Sequence, residues 1–228
     1  MAARGFLGPR TLDEISMLTT TQIEYLCKIG LITPTIENGI VLYISENLPD
    51  CVIYAKYEEF KQQMGLTDIN LHWLTTKNAF MAGGAVLNWA LSENMNEDFD
   101  FFFSDNDCAG RFELVVKNYF SFCRTTHCAT TYMKDATIIQ LVGVEGAHYS
   151  FFGCPREVIN RFDIDLCKFA VDNEFVYTTR YAIKDMISKS LHYKEDCQIK
   201  YLNQTSSQRL FKYSRKGFYA TDKNFGRI

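Results

Sequence analysis

The sequence has 228 residues, of which 47% are hydrophobic and 14% aromatic. This composition can bury a substantial core and excludes a disordered chain. The formal net charge of -3 excludes a generally basic nucleic-acid-binding protein, since attraction to a polyanion must come from a local patch. No apolar run approaches the ~20 residues of a membrane span, and no signal peptide is visible. We therefore expect a soluble, cytoplasmic protein without a membrane partner.

Residues 1–70 are expected to form a helical N-terminal region. Apolar residues recur at helical spacing in TLDEISMLTTTQIEYLCKIG, and Thr11 with Glu14 is a candidate capping box at its start. The segment YAKYEEFKQQMG is typical of a second helix, which we expect to end at Gly65 because glycine is the usual residue after a helix.

Residues 71–181 are expected to form the core of the fold. NAFMAGG predicts a buried strand that ends in a tight turn, AVLNWALSEN predicts a helix, and DFDFFFSD predicts an aromatic strand. The following segments predict a helix (GRFELVVKNYFSFC), two strands (ATTYM and ATIIQLVG) and a helix with Pro155 near its first turn (PREVINRF). DIDLCKFAVD and FVYTTRY predict a hairpin across Asp172 and Asn173.

Residues 182–228 are expected to form a basic helical C-terminal segment. Helices and strands mix along the chain, and the strands are concentrated in its middle. This order indicates an α+β fold with a mixed sheet and flanking helices, and the three regions together are expected to form one compact body.

Two glycines and two aspartates are the first candidate functional residues. Thirteen residues separate Gly83-Gly84 from Asp98 in the sequence Asp98-Phe99-Asp100-Phe101. Alternate strand residues share a face, so the carboxylates of Asp98 and Asp100 can reach shared cations, which relieve their mutual repulsion. A glycine turn lets backbone N–H groups approach a phosphate, and the helix that follows directs its positive end at the same anion.

A second pair of aspartates follows in RFDIDLCKF. On a strand, Asp163 and Asp165 would flank Ile164 and share a face. A third carboxylate beside Asp98 and Asp100 would complete a site for in-line phosphoryl transfer with two metal ions. Either Asp163 or Asp165 can supply this carboxylate.

The C-terminal segment supplies a candidate anion-binding face. Arg209, Lys212 and Lys216 fall on one side of a predicted helix, which suits a polyphosphate or an RNA backbone. Tyr213 and Phe218 are candidates for stacking on bases. A solvated surface that binds nothing is the alternative interpretation of the same charges.

The sequence resembles the DNA polymerase β-type nucleotidyltransferase superfamily over roughly residues 77 to 220. MAGGAVLNWALSENMNEDFDFFF resembles its signature of an apolar residue, two small residues, a spacer and Asp-apolar-acid-apolar. IIQLVG and PREVINRFDIDLCKFAVD resemble the later part of nucleotidyltransferase-like proteins of large phages and DNA viruses. SQRLFKYSRKGF is similar to the basic helix of that group and of tRNA nucleotidyltransferase relatives.

The resemblance implies a polymerase β-like palm and assigns roles to the candidate residues. Gly83 and Gly84 would hold the triphosphate, Asp98 and Asp100 would bind metal, and Asp163, or alternatively Asp165, would be the third carboxylate. The implied enzyme transfers a nucleoside monophosphate from a nucleoside triphosphate such as ATP to a hydroxyl and releases pyrophosphate. Its implied cofactor is Mg²⁺ or Mn²⁺, and its implied acceptor is an RNA 3′ end.

Two other functions remain open from the sequence. The first is transfer of the nucleotide to a protein hydroxyl, as in toxin-like members of the superfamily. The second is a catalytically silent module of the same fold that only binds nucleotide or RNA. The three acids Asp98, Asp100 and Asp163 argue against the silent module, since simple binding gives no reason to hold them together.

Overall fold

A mixed β-sheet of eight strands is the central element of the computed structural model of this chain. The structure describes residues 20–28, 35–37, 40–42, 52–76, 78–93, 98–143, 152–192 and 203–220. The predicted capping box at Thr11 and Glu14 lies outside these residues.

The helices and strands follow one another with short connections in most of the described chain. The helices are α1 (Thr20–Lys28), α2 (Tyr57–Met64), α3 (Gly84–Ala90), α4 (Asn106–Lys117), α5 (Pro155–Asn160), α6 (Arg180–Ser188) and α7 (Asn203–Arg215). The strands are β1 (Thr35–Glu37), β2 (Ile40–Leu42), β3 (Val52–Lys56), β4 (Ala79–Ala82), β5 (Phe99–Phe103), β6 (Ser121–Thr125), β7 (Ala129–Lys134), β8 (Thr137–Val142), β9 (Phe169–Val171), β10 (Phe175–Thr179), β11 (Ser190–Leu191) and β12 (Tyr219–Ala220). Short 3-10 helices occupy His72–Leu74 and Asp165–Cys167. None of the described helices is long and apolar enough to cross a membrane.

The strand order in the large sheet is β3-β10-β9-β4-β5-β8-β7-β6. The pair β5–β8 is parallel, whereas β4 runs antiparallel to both β5 and β9. The sheet is therefore mixed, as the sequence predicts, and β4 and β5 lie at its centre. Two smaller pairs, β1–β2 and β11–β12, are separate from it.

Burial of aromatic side chains explains why β5 is central. Phe99, Phe101, Phe102 and Phe103 are all buried, and every residue of β4 is buried. The ring of Phe112 in α4 packs against Phe101, with 4.8 Å between ring centroids, and against Phe103, at 5.3 Å. A strand that is covered on both faces needs apolar residues at successive positions, which is the pattern of Phe101, Phe102 and Phe103.

The chain forms two compact units. Unit 1 consists of Met1–Ile53, Asp163–Leu166 and Thr179–Ile228. Unit 2 consists of Tyr54–Phe162 and Cys167–Thr178 and contains most of the large sheet.

Several sequence predictions are confirmed. The buried strand before the glycines is β4, the aromatic strand is β5, and the hairpin across Asp172 joins β9 to β10. In that turn the Asp172 carboxylate accepts hydrogen bonds from the backbone N–H groups of Glu174 and Phe175. The helix that was expected to end at Gly65 does so, because Gly65 adopts a left-handed conformation with φ 67°.

Other predictions are wrong in element type. Strands β1, β2 and β3 occur in residues 1–70, which were expected to be mainly helical, and Tyr54–Lys56 belongs to β3 rather than to α2. The helix predicted to continue through Cys123 stops at Lys117, and Ser121–Thr125 forms the edge strand β6. Phe122, the aromatic residue of β6, suits a strand as well as a helix, so the spacing of apolar residues alone does not decide between the two.

The backbone angle of Gly65 gives a prediction with an internal control. A Cβ added at Gly65 meets no atom within 4 Å, so any penalty of Gly65→Ala comes from the left-handed φ and should be about 1 kcal/mol. Gly110 lies inside α4 and its added Cβ also meets nothing within 4 Å. Gly110→Ala should stabilise by about 0.5–1 kcal/mol, because glycine is a poor helix former.

Urea unfolding of the two variants and the parent chain measures both effects. Opposite signs of the two changes are expected. Equal signs would contradict the assignment of Gly65 as a helix-terminating left-handed residue.

Candidate active site

The glycine turn lies beside one of the predicted metal ligands. Gly83 has φ 86° and ψ -142°, a conformation that only glycine adopts readily. Its N–H donates to the carbonyl of Phe169 at 2.9 Å, which fixes the turn against β9. A Cβ placed on Gly83 would lie 3.8 Å from Oδ2 of Asp100. The turn and the Asp100 carboxylate are therefore in van der Waals range of each other.

Sheet pairing places Asp98 and Asp100 on one face. In β5, Asp100 pairs with Ala82 of β4 on one side and with Gln140 of β8 on the other. Paired residues of neighbouring strands point to the same face, so the side chains of Asp100 and Gln140 do so. The Gln140 amide donates to Oδ2 of Asp98 at 2.9 Å, which brings the Asp98 carboxylate to that face as well.

The accessibility of this pair suits a cation that exchanges with solvent. Asp98 is exposed and Asp100 is half-buried, and carboxylate oxygens are the ligands that Mg²⁺ and Mn²⁺ prefer. Within the part of the chain that the structure describes, no group of three or more His, Cys, Asp and Glu side chains is arranged to hold a metal ion. Asp98 and Asp100 are thus the two candidate carboxylates for a cation in unit 2. That a third carboxylate joins them stays a prediction.

Lys168 is a residue near the turn that sequence reasoning missed. It directly precedes Phe169, whose carbonyl accepts the hydrogen bond from Gly83, and its side chain is 0% exposed. Burying an ammonium group without anionic or polar contacts is very unfavourable. A lysine inside the apolar run LCKFAV was the signal available in the sequence.

Asp163 and Asp165 lie in unit 1, and both are buried. The prediction that they lie on a strand is wrong, because Asp163 is in a bend and Asp165 begins a 3-10 helix. Their shared strand face therefore does not exist. Asp163 forms an ion pair with Arg209 of α7 through its Oδ1 atom, and the N–H of Asp165 donates to the carbonyl of His192 at 3.0 Å.

A carboxylate–imidazole pair in unit 1 was also missed. Nδ1 of the His192 ring lies 2.5 Å from Oδ1 of Asp185, and the backbone N–H of His192 donates to Oδ2 of the same carboxylate at 3.1 Å. Burial raises the pKa of Asp185 to about 6, opposed by the hydrogen bonds from His192. The hydrogen bond to Asp185 raises the pKa of His192, opposed by its burial. The sequence offered no signal, since His192 stands seven residues from Asp185 without a recognisable motif.

The three basic candidates of the C-terminal segment differ in environment. Arg209 is half-buried and pairs with Asp163, Lys212 is exposed, and Lys216 follows the end of α7 and is half-buried. The prediction that Tyr213 and Phe218 are available for stacking is wrong. Both rings are buried, and they pack edge to face with 6.5 Å between their centroids.

Comparison with protein families gives one match that covers more than half of the chain. The profile described as Gabija anti-defense 2 family protein matches residues 52–189. No curated protein matches this sequence.

Comparison with solved structures identifies the fold. The chain is similar to a CCA-adding enzyme of Thermotoga maritima complexed with tRNA, with TM-score 0.52 and 12% identity, covering 76% of this chain and 43% of that chain. It is similar to a CCA-adding enzyme in complex with CTP, with TM-score 0.52 and 13% identity, covering 75% of this chain and 44% of that chain. It is also similar to an apo form of a CCA-adding enzyme, with TM-score 0.51 and 14% identity, covering 74% of this chain and 43% of that chain.

These likenesses confirm the predicted α+β nucleotidyltransferase palm as the fold. At this level of identity they establish the fold alone. The chain spans less than half the length of the solved enzymes that it matches.

The Asp185–His192 pair predicts how stability changes with pH. The pKa of Asp185 rises from 3.8 to about 6 on folding, so the folded chain binds more protons than the unfolded chain between these values. Stability should therefore fall as the pH rises through this window. His192 acts in the same direction. Because folding raises its pKa, its contribution to stability is fully present below its ordinary pKa of 6.5 and is lost at higher pH.

Asp185→Asn removes the titrating carboxyl and the partner of His192. We expect the free energy of unfolding, measured in urea from about pH 4 to about pH 7, to fall less steeply in this variant than in the parent chain. Asp105→Asn is the control. Hydrogen bonds from Cys108 lower the pKa of Asp105 below its ordinary value of 3.8. Its contribution is therefore lost only below that pH, and the slope between about pH 4 and about pH 7 should match that of the parent chain. An unchanged or steeper slope in Asp185→Asn would contradict the assignment.

Proposed function

The chain belongs to the Gabija anti-defense 2 family, and we propose that it is a metal-dependent nucleotidyltransferase. It transfers a nucleoside monophosphate from a nucleoside triphosphate to a hydroxyl and releases pyrophosphate. The observation that carries this proposal is the position of the Gly83 turn against Asp100, with Asp98 on the same face of the sheet.

We assign the triphosphate to the turn formed by Gly83 and Gly84. The first backbone N–H groups of a helix have no partner within the helix and are natural donors to an anion. Glycine at position 83 leaves the turn without a side chain between the backbone and Asp100. Because α3 has only seven residues, we attribute the contact to these local donors rather than to the dipole of a long helix.

Asp98 and Asp100 would hold Mg²⁺ or Mn²⁺. When bound, such a cation neutralises triphosphate charge and makes the attacking hydroxyl more acidic. Gln140 donates to Oδ2 of Asp98 and so restrains the rotation of that carboxylate. The packing of Phe101 and Phe103 in the core holds β5, and with it Asp100, at a fixed position relative to the turn.

The third carboxylate is assigned to Asp163, with Asp165 as the alternative. This assignment rests on the sequence resemblance. Arg209 contacts Oδ1 of Asp163, and a carboxylate has two oxygens, so an ion pair at one of them is compatible with a role for the other. We propose that Arg209 orients Asp163 and balances its charge in the absence of a cation.

The acceptor that we favour is an RNA 3′ end. Lys212 and Lys216, together with Arg209, give α7 and its C-terminal end a positive charge that suits an RNA backbone or a triphosphate. One of the solved structures of similar fold is complexed with tRNA, which supports RNA as the first acceptor to test.

Transfer to a protein hydroxyl is the second candidate function. The family name gives its members an anti-defence role directed at Gabija, and modification of a protein belonging to that system would be one way to fulfil it. The two functions share the nucleotide site and differ only in the acceptor. Label from the nucleotide would appear in protein if the acceptor is a protein hydroxyl, and in RNA if the acceptor is an RNA 3′ end.

Asp100→Asn should reduce transfer of label from an α-labelled NTP, or release of pyrophosphate, roughly 10³-fold or more. The change removes the charge of a proposed metal ligand while preserving its shape. Each NTP is tested with Mg²⁺ or Mn²⁺, total RNA and cell lysate. Asp135→Asn is the matched control, since Asp135 is an exposed turn residue with φ 53° that asparagine tolerates well.

Full activity of Asp100→Asn would exclude the catalytic proposal. Absence of transfer by the parent chain, combined with NTP binding, would favour the silent nucleotide-binding module instead.

Asp163→Asn and Asp165→Asn distinguish the two candidates for the third carboxylate. If Asp163 is the ligand, Asp163→Asn should lower turnover by a factor comparable to that of Asp100→Asn, and Asp165→Asn should retain most activity. Urea unfolding of both variants shows whether either change acts through stability. The reverse pattern of turnover would assign the role to Asp165, and full turnover in both variants would remove the third carboxylate from the proposal.

A further inference from the structure

The C-terminal helix carries an unusual local charge. From residue 203 to residue 220 the cationic residues are Arg209, Lys212, Arg215 and Lys216, and no aspartate or glutamate occurs. The whole chain has a formal net charge of -3. An acid-free segment in an acidic protein attracts polyanions locally even though the average charge does not.

Burial along α7 separates an inner side from an outer side. Tyr213 is 3% exposed and Arg209 faces Asp163, so these residues lie on the inner side. The outer side contains Gln208, Phe211, Lys212 and Arg215, which are all exposed and occupy positions i, i+3, i+4 and i+7, which share one face of a helix. We call these four residues the α7 stripe.

Phe211 is the unexpected member of this stripe. Its side chain is 66% exposed, although the neighbouring Tyr213 and Phe218 are buried in the same unit. Lys212 follows it directly, and Arg215 lies one helical turn further along the same face. A second aromatic residue, Tyr219, is 71% exposed just after the helix.

We infer that the α7 stripe binds single-stranded RNA, with Phe211 stacking on a base and Lys212 and Arg215 contacting the flanking phosphates. An exposed aromatic ring beside cations is an arrangement that proteins use to bind single-stranded nucleic acids, because every base offers a flat face and every linkage a negative charge. The choice of RNA among polyanions rests on the proposed function, in which RNA is the acceptor.

A membrane surface fits the stripe less well. Helices that lie in a membrane direct a broad apolar face outward. Here the outward face has one apolar residue among Gln208, Lys212 and Arg215, while Tyr213 contributes to the interior. The stripe therefore offers a single stacking position and two charges rather than an inserting face.

The test measures binding of the full chain to a fluorescein-labelled single-stranded RNA oligonucleotide by fluorescence anisotropy over a series of salt concentrations, without NTP. Phe211→Ala should weaken binding about 10-fold and leave the salt dependence unchanged, since it removes stacking but no charge. The double variant with Lys212→Ala and Arg215→Ala should weaken binding and reduce the slope of log affinity against log salt by about 1.4, or about 0.7 for each lost phosphate contact.

Two matched controls lie outside α7. Phe122→Ala removes an aromatic residue that is 61% exposed on β6, and Arg156→Ala removes an exposed cation of α5. Neither should change the affinity or the slope.

Unchanged RNA binding in both stripe variants would overturn the inference. Equal losses in the stripe variants and their matched controls would also overturn it, because binding would then depend on general charge. Retained RNA binding combined with loss of binding to phosphatidylserine vesicles would assign the stripe to a membrane instead.

The same variants separate this inference from the proposed function. Asp100→Asn should bind the RNA as tightly as the parent chain while losing transfer. If the parent chain transfers no nucleotide but binds RNA through Phe211, the proposed function fails and the surface assignment stands. If transfer occurs and the stripe variants bind RNA normally, the surface assignment fails alone.

Discussion

Gly83 adopts backbone angles that other residues reach only with strain, and three strands of the sheet meet at this position. Its N–H bonds to Phe169, which leads into β9, and it directly follows β4, whose last residue pairs with Asp100 of β5. The positive φ of Gly83 favours glycine at the end of this fully buried strand, so no side chain lies between the backbone of the turn and Asp100. The same turn therefore links β4 to β9 and lies beside the Asp100 carboxylate, and the proposed phosphoryl transfer uses both the turn and the carboxylate.

Two buried carboxylates of unit 1 are paired with neighbouring basic side chains. Asp163 is paired with Arg209, and Asp185 is paired with His192. A buried acid without such a contact would favour its neutral form or destabilise the fold. The raised pKa of Asp185 shows that burial outweighs even two hydrogen bonds from His192. By contrast, Asp98 and Asp100 in unit 2 are exposed and half-buried, so solvent lowers the penalty of their charges and leaves them accessible to a cation.

The features that the sequence predicted well are local. The run of phenylalanines in β5, the two glycines after β4 and the Asp172 turn each depend on residues adjacent in the chain. Asp163 and Asp165 were misplaced because apolar residues at alternate positions also fit a buried bend that leads into a 3-10 helix. Ile164, just before the 3-10 helix, and Leu166, within it, are both fully buried. The contact between Gln140 and Asp98 joins residues 42 positions apart, and the pair of Arg209 with Asp163 joins residues 46 apart. No local pattern encodes such contacts.

The C-terminal helix shows why residue type and spacing are insufficient for assigning a binding face. Arg209, Lys212 and Lys216 share one side of an ideal helix, yet Arg209 is used to compensate Asp163 and Lys216 lies beyond the last turn. The charges that remain on the outer face are Lys212 and Arg215, and the aromatic residue beside them is Phe211 rather than Tyr213. The buried carboxylate of Asp163 thus directs Arg209 to the inner side of α7, and an arginine paired in this way contributes less to the attraction of a second anion than its formal charge suggests.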